Sequence, residues 1–296
     1  MYEQLRQALE GKDGPLAGHS IHIVRPIKGG DSHTSWQLEL CGGDMVFLKC
    51  ANSTDLPMLT SEADGLCSLR GFLDPKLIKV PEPWYVGPCG GQSVLILPWL
   101  DIGSGDQSAL GRGLAKLHLH SSNKSPEKGF GWHRDGFIGR GPQPGGWRHR
   151  WDDAFLDLRL RPQLDLARCW RRENDSIDDL LEKLRVVLRG HKPLPSLVHG
   201  DLWSGNAAVL SDARGALFDP ACWWADREVD LAMTMLFGGF NLEFFESYNQ
   251  EWRLAKGWQS RFQLYNLYHL LNHANLFGGG YRRQCTAQIS ALLARV

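Results

Sequence analysis

The sequence predicts an α+β protein of two lobes: an antiparallel sheet with one helix first, then a mainly helical second part. Three observations carry this expectation. Through the first hundred residues, apolar and polar positions alternate with the period of strands. Beyond Leu100 the apolar residues recur at helical spacing, as Leu110, Leu114 and Leu117 do. And 296 residues exceed what one hydrophobic core usually supports. The expected division puts residues 1–100 in the first lobe and 101–296 in the second, with a hinge within 97–105. A cleft between two packed lobes is where ligands bind.

Taken in order, the opening MYEQLRQALEGKDG is polar and helical in pattern. Residues 20–27 alternate Ile, Ile and Val with polar residues, as a half-buried strand does. Strands at 34–40 and 45–50 are separated by CGGD, a hairpin signal. A helix is expected at 62–69, with Leu66 and Leu69 on one face. Pro81, Pro83, Gly87 and Pro88 punctuate a loop and a short strand. The run SVLIL, residues 93–97, reads as a buried strand. Residues 123–150 are rich in Gly, Pro, Trp and His and read as irregular. Helical period returns at 151–169 and 177–188. Residues 207–210 and 216–218 suggest a small hairpin. From Glu228 to the end the pattern is helical, broken at 278–280.

Composition excludes several classes. Lys plus Arg number 33 and Asp plus Glu number 33, so no basic excess points to nucleic acid or to an anionic membrane. The seven cysteines are odd in number and form no C-x-x-C pair, which argues against a disulfide framework or a zinc site. Reduced thiols in a cytoplasmic protein fit best. The N-terminus lacks the apolar core of a signal peptide, and no run approaches the roughly 18 apolar residues a membrane span needs. Twelve Trp hint at stacking on carbohydrate or base, though buried aromatics that anchor loops explain most such cases.

The chemistry is concentrated in LVHGDLWSGN, residues 197–206. An apolar lead-in reaches His199, Gly200 and Asp201, and Asn206 follows five residues after Asp201. Thirteen residues further on, a second apolar run ends in Phe218, Asp219 and Pro220. Protein kinases use the same order, and the expected fold is accordingly protein-kinase-like. Phosphoryl transfer needs positioning and charge neutralisation more than covalent help. One carboxylate must take the proton of the attacking hydroxyl; Asp201 is assigned that role. Mg2+ prefers oxygen ligands, and Asn206 and Asp219 suit it. An Asp beside Gly is usually only a turn and an Asn before a strand usually a cap. The three in this order are much rarer.

The first lobe should then supply the nucleotide site for ATP. Lys49 ends the strand MVFLK, as a nucleotide-binding lysine does, and Glu62, opening the expected helix, would pair with it. Gly29 and Gly30 in KGGDSHTSW allow the backbone to approach phosphates. Adenine would be read by backbone at Leu97, Pro98 and Trp99. Pro98 cannot donate, so a carbonyl of Leu97 or Pro98 and an N–H of Trp99 or Leu100 would serve. Asp230 suits bonding to the catalytic-loop backbone, or merely a charge at a helix start. His118 and His120 form an H-x-H pair with no third ligand nearby and read as helix-end residues.

These residues resemble those of the fructosamine kinase (ketosamine-3-kinase) family, itself related to aminoglycoside phosphotransferases and choline kinases. The resemblance runs nearly end to end: GGDSHTSW, FLK, SEADGL, LGRGLAKLH, GFIGRGPQPGGWRHRWDDAFLDLRLRPQL, HGDLWSGN, ALFDPACWWADREVDLAMTMLFGG and LYHLLNHANLFGGGY. It implies ATP-dependent phosphorylation of the 3-hydroxyl of a ketosamine, free or protein-bound, and release of the amine afterwards; the alternative is the same transfer to another hydroxyl acceptor, such as an aminoglycoside, a choline-like amine or a sugar. It places Trp203 at the sugar. Gln143, Trp147 and Arg161 either shape the acceptor pocket or brace its loop. It implies a monomer or weak homodimer. Two departures stand out. The glycine-rich loop lacks the Cys that bridges subunits in some relatives, and Trp223 and Trp224 stand where smaller or single aromatics are expected, which would alter the acceptor pocket.

Overall fold

The computed structural model describes residues 3–27, 33–170 and 176–295. Helix α1 (Glu3–Glu10) precedes three antiparallel strands, β1 (Ile21–Ile27), β2 (Thr34–Leu40) and β3 (Met45–Ala51). Helix α2 (Leu56–Arg70) follows, then β4 (Ile78–Lys79), β5 (Tyr85–Cys89) and β6 (Gln92–Pro98). The five longer strands form one sheet in the order β1-β2-β3-β6-β5. Val46 and Leu48 on β3 face the apolar layer that Leu5 and Leu9 of α1 cover. Lys49, one position on, turns to the other face, because successive strand side chains alternate.

Helix α2 starts six residues before the expected helix. Pro57 sits in its first turn, where the missing N–H costs nothing. Glu62 therefore lies inside the helix and does not open it. Gly65, one turn later, lets α2 approach the segment after Asp219: a Cβ there would lie 2.9 Å from Pro220 Cγ and 3.2 Å from Cys222 Sγ. That close approach fixes Glu62 relative to Asp219.

Next come α3 (Ser108–Ser121), then four three-residue strands: β7 (Phe130–Trp132), β8 (Gly136–Ile138), β9 (Gly141–Gln143) and β10 (Gly146–Arg148). The run expected to be helical to 169 is α4 (Trp151–Phe155), a π-turn segment Leu156–Leu160, and α5 (Arg161–Ala167). Helix α6 (Ile177–Arg185) is N-capped by Ser176, whose hydroxyl accepts from the Asp179 N–H. Strands β11 (Ser196–Val198), β12 (Ala207–Val209), β13 (Gly215–Leu217) and β14 (Trp223–Ala225) surround the catalytic loop. The expected hairpin is β12–β13. It also pairs in parallel with β4, so Ile78 and Lys79 join the sheet of the later segment. Helices α7 (Glu228–Leu236), α8 (Leu242–Glu251), α9 (Trp258–Phe277) and α10 (Gly280–Leu293) complete the chain. Their continuity is broken at 237–241 and 252–257 as well as at the expected glycines.

Trp223 and Trp224 are core residues and do not reach the cleft. Trp223 stacks on Trp151 at 5.5 Å, and the Arg159 guanidinium lies 3.9 Å from a Trp223 ring. The expectation that these two tryptophans reshape the acceptor pocket is corrected accordingly.

Candidate active site

Strand β11 delivers His199, Gly200 and Asp201 in a turn that only glycine fits. Gly200 has φ +82°, and a Cβ there would lie 2.1 Å from the Ala221 oxygen. Asp230, in the first turn of α7, closes the turn from below. Its carboxylate accepts the His199 N–H at 2.7 Å and the Gly200 N–H at 2.8 Å, with His118 Nε2 at 3.1 Å. Of its two expected readings, the structure shows the bond to the catalytic-loop backbone. His118 contacts Tyr248 and Asp230, as befits a buried structural histidine.

His199 ties the loop to the second motif. Its Nδ1 accepts the Asp201 N–H at 3.3 Å, so Nε2 carries the proton and donates to the Phe218 carbonyl at 2.9 Å. Burial lowers its pKa and keeps the ring neutral. Asn206 then draws three groups together through Nδ2, which donates to the Asp201 carbonyl at 2.9 Å, Asp201 Oδ2 at 3.1 Å and the Asp219 carbonyl at 3.4 Å. Among the described residues nothing bonds Asn206 Oδ1. Burial and the Asp219 charge push the Asp201 carboxyl up to about 7, against the Asn206 hydrogen bond.

Asp219 sits at φ +54°, a left-handed conformation that costs a non-glycine residue energy and clusters at functional sites. Its Oδ1 meets Lys49 Nζ at 2.7 Å. Lys49 also donates to both Glu62 oxygens, at 2.9 and 2.8 Å. Burial alone would lower the Lys49 pKa; Glu62 and Asp219 outweigh it and hold the ammonium charged. Burial likewise pulls the Asp219 carboxyl upward, but Lys49 outweighs it and keeps the group below its ordinary value. Asp219 nevertheless leaves 42% of its side chain accessible. That carboxylate and the unbonded Asn206 Oδ1 form a hard-oxygen pair, a donor set that fits Mg2+.

Asp201, Asn206, Asp219, Lys49 and Glu62 line one cavity of about 650 Å³, together with Leu97, Pro98, Trp99, Leu100 and Trp203. Gly29 and Gly30 lie outside the described residues. One expected donor is already used: the Trp99 N–H bonds the Met45 carbonyl at 3.1 Å. Of the two expected donors, that leaves the Leu100 N–H. Among the described residues Gln143, Trp147 and Arg161 do not line the cavity. Gln143 donates to the Ala221 carbonyl at 3.0 Å and accepts from the Tyr268 hydroxyl, and Arg161 pairs with Asp178 at 2.8 Å. Sequence reading missed His33, which lines the cavity and whose buried Nε2 has no hydrogen-bond partner among the described residues. Burial, then Lys49 and Arg140, push it down to about 4. Its position in KGGDSHTSW was the available signal.

Another cluster, His191, Asp226 and Glu228, is compact enough for a metal but already satisfied. Arg261 bonds both Glu228 oxygens at 2.7 Å, and His191 and Tyr265 bond Asp226 Oδ2. All seven cysteines are free thiols, and no helix among the described residues is long and apolar enough to cross a membrane.

Comparison with known proteins agrees with this geometry. The fructosamine kinase family model matches residues 1–295. A probable ketoamine kinase of Synechocystis is 39% identical over 278 residues, covering 92% of this chain and 91% of its own. One of Vibrio parahaemolyticus is 37% identical over 299 residues, covering 99% and 100%. A crystal structure from Haemophilus somnus, provisionally named a fructosamine-3-kinase, superposes with TM-score 0.85 at 27% identity, over 99% and 98% of the chains. The structure of a gentamicin–APH(2")-IIa complex is 13% identical with TM-score 0.61 over 100% and 97%, a likeness of fold alone. The fold is thus the two-lobed one of protein-kinase-like phosphotransferases.

Proposed function

The chain belongs to the fructosamine kinase family, and from that premise we propose that it transfers the γ-phosphoryl group of ATP to the 3-hydroxyl of a ketosamine. One observation carries the reading. Asp201, Asn206 and Asp219 converge with the Lys49–Glu62 pair on a single cavity, although these residues come from opposite ends of the chain.

Each residue has a role its position supports. Asp201 accepts the proton as the hydroxyl oxygen attacks the γ-phosphorus and the bond to ADP breaks. Asn206 steers that carboxylate and offers Oδ1, beside Asp219, to Mg2+. The metal, when bound, neutralises phosphate charge. Lys49, held by Glu62, faces the phosphates, and Leu97, Pro98 and Leu100 bracket the base; for Gly29 and Gly30, outside the described residues, the role of covering the phosphates rests on the sequence alone. Trp203 offers an aromatic face to the sugar. The phosphorylated adduct then loses its amine, which makes the outcome deglycation. The free thiols and balanced charge favour a cytoplasmic monomer or weak homodimer that acts on ketosamines, free or on proteins, and not on nucleic acid.

ADP release with Mg2+ and ATP, measured against a fructosamine, a ribulosamine, an aminoglycoside and choline, tests the reading. Turnover is expected with a ketosamine. Asp201→Asn should bind ATP normally and lose about 10²–10⁴-fold in turnover. Near wild-type turnover in that variant would refute the assignment of Asp201.

A further inference from the structure

An aromatic row runs from Trp203, which shares the cavity with Asp201, through the segment after α7 to helix α9. Trp203 opens it. Its indole lies over Gly205, where a Cβ would come within 2.3 Å of the ring, and it meets Phe237 edge-on with centroids 6.5 Å apart. Phe237 packs on His273 at 5.0 Å. His273 in turn touches Phe277 at 5.7 Å and Tyr281 at 5.1 Å. His273 and Phe277 are four residues apart on α9, hence on one face. Three of these rings are large apolar surfaces open to water: Trp203 is 41% exposed, Phe237 37% and Phe277 53%. Exposed apolar side chains are ordinary when scattered; a contiguous row of them at the mouth of a binding cavity marks a recognition surface.

We propose that this row binds the nitrogen substituent of the ketosamine, and that the preferred substrates carry an apolar ring or chain there. The inference rests on the ketosamine reading above. Connectivity points the substituent this way. With O3 held at Asp201, the amine on C1 is two carbons along the sugar, and Trp203 is the next side chain but one after Asp201. The substituent leaves the sugar over Trp203 and meets Phe237 and Phe277 beyond it. Charge decides the class of substituent. Among the described residues the carboxylates lining the cavity are Glu62, Asp201 and Asp219. Glu62 and Asp219 are bound to Lys49 and Asp201 to Asn206, all on the phosphate side. The row itself supplies ring faces, which hold one ammonium by cation–π attraction and an apolar tail by burial. A polycationic amine finds no partners there for its further charges.

The test uses fructosamines of methylamine, butylamine and benzylamine with ATP and Mg2+, and compares kcat/KM in the full-length protein with Phe277→Ala and Phe277→Leu. In the wild type kcat/KM should rise along the series, mostly through KM. Phe277→Ala should cut the benzylamine value about tenfold more than the methylamine value, about 1.4 kcal/mol. Phe277→Leu, which keeps an apolar side chain, should recover most of that loss. A flat wild-type series, or an equal loss for all substrates in Phe277→Ala, overturns the row as a binding surface while the ketosamine reading stands. If no fructosamine turns over while ATP still binds, the ketosamine reading falls and the inference falls with it.

Discussion

Replacing Lys49 with Met should expose how the cleft stores its charge. Lys49 lies between Glu62 and Asp219, with contacts of 2.8 and 2.7 Å, and the Lys49–Glu62 pair is nearly closed to water. At an effective dielectric constant of about 20, each contact is worth ~6 kcal/mol before desolvation. Desolvation removes most of that, and breaking a buried pair by deleting one partner costs about 3–5 kcal/mol net. The Asp219 contact adds less, since its side chain is 42% accessible and water screens it. Lys49→Met should therefore lower the thermal midpoint by roughly 6–10 °C, at roughly 2 °C per kcal/mol for a chain of this size. Glu62→Gln should cost less, because Lys49 keeps Asp219. The double variant should be more stable than Lys49→Met alone, because it removes a carboxylate the first change left unpaired. Sign follows from the same picture. Burial and then the Asp219 charge already push the Glu62 carboxyl up to about 8 with Lys49 beside it, and losing Lys49 raises it further. The deficit of Lys49→Met should therefore be smaller at pH 7 than at pH 9, where only wild-type Glu62 has given up its proton. Denaturation of the three variants between pH 6 and 9 measures all of this. Equal or additive losses, or a deficit that grows toward acid, would refute the buried-triad account.

Two further outcomes follow from groups away from the cavity. Asp230→Ala strips the carboxylate from two backbone N–H groups and His118, and should cost about 3 kcal/mol or more, since each orphaned buried group costs ~1–3 kcal/mol; turnover should fall with it, and urea unfolding together with ADP release checks both. His269 on α9 is fully buried with neither ring nitrogen bonded among the described residues, and burial pushes it down to about 3. Its folded pKa lies below the unfolded value near 6.5, so the neutral ring's contribution is intact above that value and is lost as pH falls toward about 3, at ~1.4 kcal/mol per pH unit. His269→Phe should flatten that acid limb, with urea midpoints at pH 7, 6 and 5 as the measure; an unchanged slope would contradict it.

Much of this site was legible because phosphoryl-transfer chemistry fixes residue types at fixed spacings along one chain. Asp201, Asn206 and Asp219 lie within 19 residues on a loop and a hairpin, and strand pairing brings them together with little help from elsewhere. The pairing of Lys49 with Glu62 was legible too, though the start of its helix was not, because Pro57 extends α2 toward the N-terminus. The segment 123–150 read as irregular because strands of three residues are too short to show a period. Trp223 and Trp224 were misplaced for a different reason. A tryptophan four or five residues past Asp219 looks exposed in sequence, but its strand pairs with Ser196–Val198 and buries Trp223 against Trp151 and Arg159. Which face of a short strand turns inward is decided by partners distant in sequence, and no local pattern carries that.

The contact between Lys49 and Asp219 gives the free site its logic under the proposed roles. A buried ammonium and a partly buried carboxylate both need partners when no nucleotide is present, since an unpaired charge there would cost several kcal/mol. They partner each other, and Glu62 holds the lysine in register through two further bonds. Under those roles Lys49 would hold phosphate oxygens and Asp219 would hold Mg2+, each in place of the other, so both charges would stay paired. Glu62 would keep its two bonds to Lys49. This explains why the anchoring carboxylate comes from a helix packed tightly through Gly65, while the exchanging one sits on a turn at φ +54° with an open face. The group that must not move is on the rigid element, and the group that must change partners is on the strained one.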